Sequence, residues 1–92
     1  MGEKKQARLV KRGRNELNGG TYEIWDVGDG RGINVDYNNG ICETMAFPYD
    51  LKRNRVKSWN ELGVWHEDAT GSKAIRELGY EPIEEDDSDG TD

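Results

Sequence analysis

Cys42 and His66 are the single residues of their kinds in the chain, and they make its plainest nucleophile–base pairing. A thiol becomes a useful nucleophile when a nearby base takes its proton and a third group orients that base. Glu67 and Asp68 follow His66 and suit the orienting role. Nothing in the spacing brings residue 66 beside residue 42, so a Cys42-dependent enzyme ranks last among three functional readings. A structural zinc site is disfavoured for the same reason, because its four-ligand set is not there. The chain is therefore expected to be no enzyme and to carry no cofactor and no metal.

Gly28-Asp29-Gly30-Arg31-Gly32 has the glycine content of a phosphate loop. Such loops lead into a helix N-terminus, and the Walker type adds a Lys followed by Ser or Thr. Here an apolar alternation follows, so the segment reads as a hairpin loop with Arg31 at its tip. Asp26, Asp29 and Asp36 lack the alternating oxygen spacing and distal Glu of an EF-hand.

Lys52, Arg53, Arg55 and Lys57 lie between Tyr49 and Trp59. Basic groups neutralise phosphates and aromatic faces stack on bases, so this run is a candidate nucleic-acid contact. Lys4, Lys5, Arg8, Lys11, Arg12 and Arg14 would extend it. The plain alternative is that charge runs are solvated faces and that Trp59 is core. The candidate binding residues are Arg31, Glu43, Tyr49, Lys52, Arg53, Arg55, Lys57, Lys11, Arg12 and Arg14.

The elements that must position these groups centre on residues 21–47. Thr21 to Val27 reads as a strand. Ile33, Val35 and Tyr37 alternate with Asn34 and Asp36, and Asn38-Asn39-Gly40 is a hairpin turn before a strand from Ile41 to Phe47. A two-residue turn would set Tyr37 opposite Cys42 and split the apolar residues between two faces. A three-residue loop with Gly40 left-handed sets Tyr37 opposite Ile41. Ile33, Val35, Tyr37, Ile41, Met45 and Phe47 then share one face with Trp25 and Val27, and burial selects this register. It leaves Glu43 on the apolar face, either reaching for water at the sheet edge or awaiting a cationic partner.

Ser58-Trp59-Asn60-Glu61 has capping-box spacing and predicts a short helix limited by Gly63. Ser72 is a second cap, followed by an apolar stripe of Ala74, Ile75 and Leu78, with Gly79 where a helix stops. Tyr80 to Ile83 predicts a last extended segment. The fold expected is α+β: a three- or four-stranded antiparallel β-meander, with the option of curling toward a barrel, and one or two short helices. Residues 1–14 are a basic arm or first strand, 15–83 the domain, and 84–92 a disordered acidic tail.

Composition limits the rest. The 92 residues suit one domain, and Leu, Ile, Val and Phe supply only 16 of them, so seven Trp and Tyr rings must help fill the core. One cysteine forbids an internal disulfide, and no apolar run suits a signal peptide or membrane span, which makes the cytoplasm the expected compartment. The net charge of −6 is segregated: +5 over residues 1–14, −6 over 15–51, +4 over 52–58, −2 over 59–80 and −7 over 81–92. The acidic end either shields the basic segments, binds a basic partner or keeps the chain soluble.

Segregated charge without catalytic residues favours a non-enzymatic protein-binding module. An adaptor or a small inhibitor docking on a larger machine fits, of the kind that phages and mobile elements encode against their hosts. The second reading is a small nucleic-acid-binding domain using residues 4–14 and 52–57. Oligomeric state is left open.

Overall fold

β-Branched and aromatic residues fill the segments that pair, and short polar residues or glycine fill the turns between them. The computed structural model describes residues 5–17, 19–38, 40–66 and 71–83. The acidic segment 84–92, Lys4, Asn39, Glu67 and Asp68 lie outside the described residues. Four long strands form an antiparallel meander: β1 (Lys5–Asn15), β2 (Gly20–Gly28), β3 (Arg31–Asn38) and β4 (Glu43–Asp50). Two short strands, β5 (Arg55–Val56) and β6 (Gly63–Trp65), share the outer edge of β4. The helix α1 (Gly71–Glu77) then leads across one face to β7 (Tyr80–Ile83), which pairs parallel with β1.

The product is an open, mixed sheet of seven strands ordered β5-β4-β3-β2-β1-β7, with β6 also on β4. The α+β expectation holds in this coarse form. The strand count exceeds three or four, and the β1–β7 pair breaks the all-antiparallel pattern. Of the two options for the N-terminal basic segment, residues 5–14 take the strand.

Turn chemistry is uniform. Asn15, Asp26, Asn38, Asp50 and Ser58 each accept, through a side-chain oxygen, a hydrogen bond from the backbone N–H two residues on, at 2.8–3.1 Å. A short polar side chain thereby stands in for a backbone carbonyl and reverses the chain locally. The glycine segment is tighter than the five-residue loop expected. Gly28 already pairs with Arg31, and only Asp29 and Gly30, with φ of 59° and 75°, turn the chain. Two successive positive φ values match the right-handed twist of a hairpin.

The core lies between the sheet and α1. Ala7, Trp25, Ile33, Val35 and Ala46 of the sheet pack with Ala74 and Ile75 of the helix, and Leu9, Val27, Trp65, Leu78 and Tyr80 close its margin. The helix follows its expected stripe. It stops at Gly79, whose φ is 95° and whose N–H donates to the Arg76 carbonyl at 2.9 Å.

Two further expectations fail. The first is the register of β3 and β4. Tyr37 lies opposite Thr44, Val35 opposite Ala46 and Asn38 opposite Glu43; the left-handed residue is Cys42, with φ of 53°, not Gly40. Small Thr44 and Ala46 therefore face the core, and Met45 and Phe47 face the other side. The physical reason is space: Trp25, Ile33, Val35 and Ile75 fill the volume beneath the helix, leaving room on β4 for small side chains only. The bulky pair is accommodated because Trp59 covers Phe47, with ring centroids 5.2 Å apart and planes at 68°.

The second failure is the helix at Ser58. The Ser58 hydroxyl accepts from Asn60 N–H, yet the segment forms no helix. Lys57 N–H donates to the Pro48 carbonyl and Leu62 N–H to the Ala46 carbonyl, at 2.8 and 2.6 Å. An open strand edge offers ready partners to every passing amide, while one helical turn gains too few bonds to nucleate.

Candidate interaction surfaces

Because α1 covers one face only, no helix among the described residues lies on the other face of the sheet. Cross-strand pairing sets its rows. Lys11, Ile24, Asn34 and Phe47 lie opposite one another in turn, and Gly13, Tyr22, Asp36, Met45 and Val64 form the next row. Tyr22 lies flat over Gly13, where an added Cβ would meet its ring at 2.7 Å, and the Lys11 ammonium stands 5.8 Å from the ring centroid. Asn34 and Phe47 are buried in this face, and Trp59 above Phe47 is 70% exposed. Asp36 sits half-buried between Tyr22 and Met45; loss of hydration raises its pKa, and a hydrogen bond with Asn34 partly opposes the shift.

Six candidate residues gather at one end of the sheet. Arg31 opposes Asp50, Tyr49 opposes Val56, and Lys52, Arg53, Arg55 and Lys57 occupy the turn and strand beyond. Asp50 organises the turn: its Oδ1 accepts the Lys52 and Arg53 amides at 3.0 and 3.1 Å, and its Oδ2 accepts Arg53 Nη1 at 2.9 Å. These bonds, that of the Arg53 side chain first, hold the Asp50 pKa below its ordinary value. Tyr49 donates its hydroxyl proton to Asn54 Oδ1 at 3.0 Å.

The other candidates lie elsewhere. Lys11, Arg12 and Arg14 belong to β1, and Arg12 Nε donates to Glu23 Oε2 at 2.9 Å. Strands β4, β3 and β2 stand between β1 and β5, so the two basic segments sit on different strands, four spacings of about 4.8 Å apart along the sheet. Glu43 is not on the core face. It lies at the start of β4 on the side away from α1, where its Oε2 accepts from His66 Nδ1 at 2.8 Å. The imidazole is thus held by the residue that follows Cys42, and Cys42 itself is exposed.

No family model, curated protein or solved structure matches this chain. Among the described residues, no group of three or more His, Cys, Asp or Glu side chains is placed to hold a metal. No helix among them is long and apolar enough to cross a membrane.

Sequence reasoning missed two residues that matter. Glu23 ties β1, β2 and α1 together: besides Arg12, it accepts the indole N–H of buried Trp25 at 3.0 Å and abuts Gly71 at the helix start. A Glu beside a core Trp in a strand was the available signal. The helix expected at Ser58 would turn Trp59 toward the core, and it is instead a large exposed ring on the face away from α1.

Proposed function

We propose that this chain is a non-enzymatic protein-binding module that docks through the face of its sheet opposite α1, with Trp59 as the anchor. The supporting observation is the Trp59–Phe47 pair: an indole 70% exposed, resting edge-on against a buried ring on the face away from α1. Exposed Trp is the residue type most enriched among side chains that dominate protein interfaces. The surroundings favour a protein over a nucleic acid. Asp36 and Glu43 lie on the same face, and carboxylates repel phosphates. The basic segments proposed for nucleic-acid contact sit on separate strands instead of forming one groove. An adaptor or inhibitor of a larger assembly needs only such a face.

The test is affinity capture from the native cell with nuclease present, using the parent chain, Trp59→Ala and a Lys52→Ala/Arg55→Ala variant. A protein retained by the parent and the double variant but lost from Trp59→Ala supports this reading. Recovery that vanishes with nuclease, or with the double variant alone, supports nucleic-acid binding instead.

A further inference from the structure

A pocket of about 320 Å³ opens at the Arg31 end of the sheet, on the side that α1 covers. Val27, Ile33, Pro48, Leu62, Leu78 and Tyr80 make its apolar walls. Arg31 and Lys57 line it too, and both are exposed. Neither side chain has an ion pair or hydrogen bond among the described residues. Asp50, which faces Arg31 across the strands, has its carboxylate engaged by Arg53 and two backbone amides. Among the described residues, no acidic one lines the pocket. Two cations therefore stand beside an apolar hollow to which the described residues bring no anion.

We propose that this pocket binds a small amphiphilic carboxylate, its apolar body against Ile33, Leu62, Leu78 and Tyr80 and its head between Arg31 and Lys57. The volume lies at the lower end of the ~300–1,000 Å³ typical of small-molecule sites, which suits a medium-length chain or a single ring system. Release of water from the apolar walls favours binding. The planar guanidinium of Arg31 matches a carboxylate through two parallel hydrogen bonds, and Lys57 adds a second positive charge. The chain's own acidic segment does not fit. Residues 84–92 are acids with Ser, Gly and Thr, and bring no apolar side chain to the walls. This site lies on the opposite face from Trp59 and stands independently of the docking reading.

The experiment is an NMR titration of the full chain with decanoate, below its critical micelle concentration, against decanol and decylammonium as probes. Decanoate is expected to bind saturably at one site and to shift signals of Ile33, Leu62, Leu78 and Tyr80. Decanol should bind about ten-fold more weakly, and decylammonium more weakly still. An Arg31→Ala/Lys57→Ala variant, altered at exposed positions only, should lose about ten-fold in decanoate affinity and keep that for decanol. Trp59→Ala should leave decanoate binding unchanged, which separates this site from the docking face. Equal affinity for decanoate and decanol, an unaltered double variant, or shifts centred on Phe47 and Trp59 would overturn the proposal.

Discussion

The carboxylate of Glu23 occupies the space that a side chain at Gly71 would need. One oxygen accepts from Arg12 and the other from Trp25, so a single acid joins two strands and the first residue of the helix. Its negative charge there also complements the helix dipole. Gly→Ala in a helix ordinarily stabilises by roughly 0.5–1 kcal/mol. Gly71→Ala should do the opposite. The flexible Glu23 chain must swing aside, leaving the buried Trp25 N–H without its acceptor at a cost of about 1–3 kcal/mol. In a Glu23→Ala background that cost is already spent, and Gly71→Ala should become neutral or stabilising. Urea unfolding of the four variants tests this, and additive effects would refute the coupling.

Asp36 makes a pH prediction. Its native pKa is raised above 3.8 because burial between Tyr22 and Met45 disfavours the charged form. The native state therefore takes up the proton before the unfolded state does. The residue's contribution to stability is least favourable at neutral pH, recovers as pH falls through the raised value, and is fully present below the ordinary one. Asp36→Asn should accordingly be more stable than the parent at pH 7, with the advantage shrinking toward pH 4. Urea midpoints across that range give the answer, and a constant difference would count against burial as the cause.

Asp50 behaves in the reverse sense. Its bonds to Arg53 and the turn amides depress its native pKa, so its stabilisation is present above the ordinary value of 3.8 and is lost as pH falls through the lowered one. Asp50→Asn retains an oxygen for the amides and loses the charge that holds Arg53; Asp50→Ala loses both. Hydrogen exchange at the Lys52 and Arg53 amides should accelerate slightly in the first variant and markedly in the second. No change in Asp50→Ala would mean that the Leu51 N–H to Gly30 carbonyl bond alone holds the turn.

Local rules were legible where one segment decides its own shape. The helix stripe of Ala74, Ile75 and Leu78 and its stop at Gly79 need only residues close in sequence. The facing of Trp25, Ile33 and Val35 follows from simple alternation. What stayed hidden depends on partners far along the chain. The capping spacing at Ser58 competes with the β4 edge, which sequence does not display beside it. The large apolar residues of β4 point toward the core only if the sheet buries a single face. In the molecule Trp59 covers part of the second face, so Met45 and Phe47 have somewhere else to go. Of the candidate site, the cluster at residues 49–57 is continuous in sequence and was visible; the exposure of Trp59 and the Glu43–His66 bond were not.

The β4 register gives the sharpest test of that difference. Ala46 lies opposite Val35 with no exposed surface, among side chains packed on α1. Met45, its neighbour, faces the other way and is only partly covered. Ala46→Leu forces three extra carbons into a filled core, which should cost about 1–3 kcal/mol or more. Met45→Leu keeps its volume on a yielding surface and should cost under about 1.5 kcal/mol. If Tyr37 instead opposed Ile41, Met45 would be the core residue and Ala46 the outward one. Ala46→Leu would then be the tolerated change, and Met45→Ala the one costing about 2–5 kcal/mol. Unfolding midpoints of these three variants therefore rank differently in the two registers, and only Ala46→Leu as the most damaging accords with Val35 facing Ala46.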